Sequence, residues 1–116
     1  MKTPWFHIVC ELDAQAKPAP TIRDIQRAVC SRFPGVTVND ILSARRTAGA
    51  MTPRHIAMYL ARTLTLKSYP TIGAAFNNRE HTGVMYGVEK IEQRQQSDKR
   101  LRDMISSISS ELGCAA

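Results

Sequence analysis

Apolar residues recur at helical spacing through most of the chain. Ile22, Ile25, Val29 and Phe33 stand three or four positions apart, the period of one buried helical face. Thr21 precedes them and suits an N-cap, whose side chain accepts an orphan backbone N–H. Pro34-Gly35 closes the helix. Val36 and Val38 predict a brief extended piece, and Ile41 and Leu42 a short helix capped near Asn39. A loop over residues 43–50 follows. Thr52-Pro53 predicts the start of a longer helix, with proline at its first position, running to about Leu66. Its apolar stripe is Ile56, Ala57, Leu60, Ala61 and Leu64, with Arg54, Met58 and Arg62 on other faces.

Pro70–Phe76 reads as a short helix with Ile72, Ala75 and Phe76 inward. Asn77-Asn78 makes a turn, because asparagine tolerates left-handed backbone. A helix from about Arg79 to Gln95 then carries the stripe Val84, Val88 and Ile91. Ser97 is placed to cap a last helix that buries Leu101, Met104, Ile105, Ile108 and Leu112 and stops at Gly113. Ser106, Ser107, Ser109 and Ser110 read as its surface. The expected fold is all-α, with five to six helices and no strand in this body. Residues 1–20 differ in character. Trp5–Cys10 is a short apolar arm that could form a strand, and Lys17-Pro18-Ala19-Pro20 reads as a stiff linker. The expected organisation is an arm and linker over 1–20, a domain over 21–113 and a tail over 114–116.

A length of 116 residues suits one such domain. Its three cysteines, Cys10, Cys30 and Cys114, lack paired spacing. They read as free thiols in a reducing compartment rather than a disulfide framework or zinc site. No apolar run reaches membrane-spanning length, and the start lacks the features of a signal peptide, so a cytoplasmic location is expected. Charge sharpens the picture. The net charge is +6, and residues 41–79 hold six bases (Arg45, Arg46, Arg54, Arg62, Lys67, Arg79) and no acid. A long stretch without a carboxylate suits a polyanion-facing surface, although a solvated basic face produces the same composition.

Two helices joined by a tight turn, after a longer support helix, fit a helix-turn-helix. In that arrangement the start of the second helix meets base edges in the major groove. The residues there are Arg79, Glu80, His81, Thr82 and Gly83. Arginine can pair with guanine, and a carboxylate can accept from the cytosine amino group. Glu80 can equally serve the helix N-terminus through the macrodipole, and sequence alone leaves both open. Arg45-Arg46 lies among small residues, where an arginine can enter the minor groove. His7, His55 and His81 are scattered and share no ligand spacing, so no metal is expected. No phosphate loop or nucleophile–base pair is present, and neither a cofactor nor catalytic residues are expected.

These residues resemble a known family, the C-terminal DNA-binding domain of the bacterial chromosomal replication initiator DnaA. The resemblance runs over residues 21–112 through Ile41-Leu42-Ser43-Ala44-Arg45-Arg46, Pro53-Arg54-x-Ile56-Ala57-Met58-Tyr59-Leu60-Ala61 and Ser68-Tyr69-Pro70-x-Ile72-Gly73-x-Ala75-Phe76. It continues through Arg79-Glu80-His81-Thr82-Gly83-Val84 to Lys90-Ile91-Glu92. It implies double-stranded DNA as the partner, with Arg46 in the minor groove of an asymmetric DnaA box. Arg79, Glu80, His81 and Thr82 would read the major groove, with Gly83 beside them, and Tyr69 and Pro70 would touch thymine methyls. Arg45, Thr47, Arg54, His55, Arg62, Thr65, Lys67 and Ser68 match positions that contact phosphate and sugar. Glu80 and Gly83 replace the family's Asp and second Thr, and Ala44 and Ala48 stand where bases are usual. Weaker binding and a variant site follow.

Only 20 residues precede the resemblance, with no Walker motif. The expectation is therefore a freestanding, nucleoid-associated bacterial regulator of replication or transcription, without ATPase activity. Two further readings bear on the arm. In one, the fold serves as a protein-interaction module that binds a partner through the arm or last helix. In the other, residues 1–12 form a homodimer contact.

Overall fold

The computed structural model describes residues 20–43 and 48–112. The arm with its homodimer expectation, the Arg45-Arg46-Thr47 segment, Cys10 and Cys114 lie outside them. Among the described residues there are six helices and no strand. They are α1 (Ile22–Cys30), α2 (Val38–Leu42), α3 (Ala48–Thr65), α4 (Tyr69–Ala75), α5 (His81–Gln95) and α6 (Lys99–Glu111).

Local chemistry sets most of the helix starts. Thr21 accepts from the Asp24 N–H while the Asp24 carboxylate accepts from the Thr21 N–H, both at 3.1 Å, a complete capping box. Thr37 and Asp40 repeat the device at the start of α2, at 2.9 and 3.2 Å. The cap of α2 therefore falls at Thr37, not near Asn39, and Val38 is helical rather than extended. Ser68 caps α4, accepting from the Thr71 N–H. α6 is capped by Asp98, which accepts from the Leu101 N–H at 3.1 Å, not by Ser97. The carboxylate one residue further on is the stronger acceptor.

α3 is the centre of the molecule, and all five other helices pack against it. It begins at Ala48, before the expected Thr52-Pro53 start, and holds Pro53 inside the helix. Pro53 lacks only the N–H that would reach the carbonyl of Gly49, near the helix start, so little bonding is lost. A central helix has no solvent face along most of its length. Met58 is accordingly 1% exposed and Arg54 3% exposed, so the faces beside the apolar stripe are buried as well. Ile56, Ala57, Leu60 and Ala61 are buried as the stripe requires. Around them gather Ile25 and Val29 of α1, Ile41 of α2, Ile72 and Phe76 at α4, Val84, Val88 and Ile91 of α5, and Leu101, Ile105 and Ile108 of α6. Ser109 is buried among the last of these, contrary to its surface reading. Arg32 ties the outer helices by donating to Ser107 Oγ at 3.0 Å and pairing with Glu111 at 2.7 Å.

Leu66, between α3 and α4, has φ 57° and is 79% exposed. Left-handed backbone costs an L-residue with a Cβ roughly 1–2 kcal/mol, and little burial is lost by removing this side chain. Leu66→Gly is therefore expected to raise stability by about 0.5–1 kcal/mol after its own chain-entropy cost, read as a higher denaturant midpoint at constant m-value.

Candidate DNA interface

The helix-turn-helix is α4, a turn over residues 76–80, and α5. Asn77 and Asn78 both take positive φ, 65° and 56°, as the asparagine pair predicts. The turn is closed by the Arg79 N–H, which donates to the Gly73 carbonyl at 2.8 Å. A Cβ at Gly73 would collide with the Arg79 carbonyl oxygen, so only glycine allows this approach.

α5 begins at His81 with Glu80 as its N-cap; the expected start at Arg79 is two residues early. The difference has a physical cause. Arg79 is spent closing the turn, and Glu80 has extended backbone, with ψ 148°. Glu80 makes no side-chain capping bond, but its carboxylate stands at the positive end of the α5 dipole, so the macrodipole reading holds beside base contact. Glu80, His81, Thr82 and Gly83 are all exposed. A side chain at Gly83 would meet only the stem of Arg79, at 3.6 and 3.8 Å, so the bare helix surface here is a choice of sequence and not a demand of packing.

At the start of α4, Lys67, Ser68 and Pro70 are exposed and Tyr69 is half-buried. Arg62 lies over the Tyr69 ring at 4.5 Å and donates to the Lys67 carbonyl at 2.7 Å. It is held by a cation–π contact and a charge-assisted hydrogen bond at once. Thr65 donates its hydroxyl to the Ala61 carbonyl within α3.

The remaining expected contacts turn inward. Arg54 donates from Nε to the Ile41 carbonyl at 2.8 Å and from Nη2 to the Asp40 carbonyl at 3.0 Å. Arg79 donates from Nη2 to the Ser43 carbonyl at 2.7 Å. Both meet the C-terminal end of α2, where the last carbonyls lack i+4 helical donors; that of Asp40 accepts from the Ser43 N–H at 3.3 Å as well. Burial lowers the pKa of both guanidiniums, and the charge of Arg79 adds to the effect at Arg54. Arg54, His55 and Arg79 border a cavity of about 260 Å³ with Met51, Met58, Gly83 and Tyr86. Nothing acidic lines it. A duplex phosphate would meet Arg54 and His55 only through its mouth.

Sequence reasoning missed Tyr86. It is 57% exposed, stands edge-on to His55 with ring centres 5.9 Å apart, and lies under Lys90, whose Nζ is 3.3 Å from its hydroxyl. Its signal was available: Thr82, Tyr86 and Lys90 follow one another at i, i+4 spacing and so share a helix face. Beside this face lies buried Gly87, where a Cβ would stand 2.8 Å from His55 Cδ2 and 3.0 Å from Met58 Sδ. That glycine lets α5 close onto α3.

His55 has its pKa lowered below 6.5, first by burial and then by the charges of Arg54, Lys90, Arg79 and Arg94. The folded state therefore resists protonation that the unfolded chain accepts. Stability from this residue is full above about pH 6.5 and is lost as pH falls below it, down to the folded pKa. Thermal melts from pH 7.5 to 5 are expected to show a falling midpoint that is shallower in His55→Gln. Equal slopes would assign the effect elsewhere.

Among the described residues, no group of His, Cys, Asp and Glu could hold a metal ion, and no helix is long and apolar enough to cross a membrane.

A short helix, a glycine-dependent turn and an exposed polar start to the following helix together define a helix-turn-helix domain. The chain belongs to the bacterial DnaA protein helix-turn-helix family, whose model matches residues 22–91. Over 91 residues it is 47% identical to the chromosomal replication initiator protein DnaA of Rhodopseudomonas palustris and to that of Bradyrhizobium sp., and 46% identical to that of Nitrobacter hamburgensis. The match covers 78% of this chain and 19% of the length of each of these relatives. Membership in this family makes DNA binding the coarse function of the domain.

Proposed function

We propose that the chain recognises DnaA-box-like sites in double-stranded DNA by inserting the first turn of α5 into the major groove. One observation carries this reading: Glu80, His81, Thr82 and Gly83 stand exposed at the head of a firmly held helix, with the Glu80 side chain unused as a cap. A carboxylate in that place is repelled by phosphates unless a donor such as the cytosine amino group meets it. His81 and Thr82 supply the neighbouring polar contacts. Tyr69 and Pro70 offer apolar contact to thymine methyls, and Lys67, Ser68 and Arg62 stand for the phosphate and sugar contacts, with Thr65 behind them. By the same resemblance Arg46 enters the minor groove and Arg45 and Thr47 flank it. The protein acts without ATPase chemistry, as a cytoplasmic regulator that occupies sites of the initiator type. One copy presents one reading helix, which is sufficient for an asymmetric site.

The test is fluorescence anisotropy with a box-containing and a scrambled duplex of equal length. The box duplex is expected to bind more tightly, and His81→Ala to remove about 1–3 kcal/mol of that preference. Equal affinity of the wild-type protein for both duplexes would refute sequence reading.

A further inference from the structure

Arg79 is held from four directions. Its N–H donates to the Gly73 carbonyl at 2.8 Å. Its own carbonyl presses on Gly73 so closely that a side chain there is excluded. Its Nη2 donates across 36 positions of sequence to the Ser43 carbonyl at 2.7 Å. Its stem runs along α5 at Gly83, with Cγ and Cδ 3.6 and 3.8 Å from where a Cβ would stand. The Nε atom is buried without a hydrogen-bond partner. The guanidinium keeps this place although one donor goes unmatched.

A second guanidinium shares the task. Arg54, from α3, takes the carbonyls of Ile41 and Asp40, while Arg79, from the head of α5, takes that of Ser43. The carbonyls of Asp40 and Ile41 belong to the five-residue helix α2 and that of Ser43 to its extended C-cap, and positive charge beside a helix C-terminus is favourable. Two cations repel one another, so each keeps its position by the oxygens it binds. The end of α2 is thereby tied both to the central helix and to the reading helix.

We propose that Arg79 is a positioning residue and not a base reader: it clamps the head of α5 to the C-terminal end of α2 and so sets how the reading residues are presented. This rests on the DNA-reading role proposed above. An arginine that forked onto guanine would have to leave Ser43 and swing away from the Gly83 surface. As a clamp it acts on Glu80, His81 and Thr82 together.

The experiment compares the wild-type protein, Arg79→Met and Arg79→Lys on a preferred duplex, on duplexes with each base pair of that site replaced in turn, and on a scrambled duplex across salt. Amide hydrogen exchange of the free proteins is measured alongside. Arg79→Met is expected to bind the preferred duplex about tenfold more weakly and to lose discrimination at every base pair read by α5. Its salt slope on the scrambled duplex should be unchanged, and exchange at the Gly83 and Val84 amides faster. Arg79→Lys, which keeps a charge and a donor, should recover part of the loss; if Arg79→Met melts below assay temperature, the lysine variant carries the same comparisons. Loss confined to one base pair would make Arg79 a base reader, and a slope reduced by about one would make it a phosphate contact. Either result, or unchanged exchange, overturns the clamp. A wild-type protein without duplex preference would refute the DNA-reading role instead, and the exchange comparison would still decide the clamp.

Discussion

Gly73→Ala is expected to destabilise the domain by about 3 kcal/mol, at the upper end of overpacking effects. The new methyl would collide with the Arg79 carbonyl oxygen, which is backbone and cannot rotate away as a side chain would. The turn cannot yield by a small shift either, because the Arg79 N–H is bonded to the Gly73 carbonyl at 2.8 Å. Relief means separating α4 from α5, and that exposes Ile72, Phe76 and Val84, each at 0% accessibility. For a domain of this size the melting midpoint should fall by about 10–20 °C. Gly49→Ala is the control. It is exposed in the first turn of α3, with nothing within 4 Å of where a Cβ would stand, so alanine there should be neutral or stabilising by up to about 1 kcal/mol. A Gly73→Ala midpoint within a few degrees of wild type would mean that the turn is not built as described.

The second large effect is ionic. If about five cations neutralise phosphates, affinity should fall by about 10²–10³ between roughly 50 and 200 mM salt. The count is limited by the structure. Arg54 is 3% exposed and Arg79 is engaged with Ser43, while Lys67 and Lys90 are exposed and Arg62 half-buried. Lys67→Ala and Lys90→Ala should each lower the slope by about one and weaken box and scrambled duplexes alike. A slope near zero would remove phosphate contact as the basis of binding.

Legibility divided along a physical line. The helices at 22–30, 69–75, 81–95 and 99–111 were readable to within a residue or two because apolar period and the Asn77-Asn78 turn are local properties. The start of α3 was not, since Thr52-Pro53 is a good local start signal that packing overrode; the central position of α3 rewards extending it back to Ala48. The exposed polar residues at the head of α5 were legible from their place after the turn. The carbonyl bonds of Arg54 and Arg79 were not, because an arginine facing DNA and one facing a backbone carbonyl look alike in sequence.

By itself, then, the amino-acid order determined an all-helical domain, the order of its helices and the polar group at the head of α5, since all of these follow from near neighbours along the chain. Only the tertiary structure decided that Gly73 and Gly87 are contact points, that Tyr86 joins the exposed face, and that two of the basic residues serve the end of α2. Those depend on groups distant in sequence meeting within hydrogen-bond or van der Waals reach, as Arg79 meets Ser43 across 36 positions. Local periodicity carries no information about such meetings.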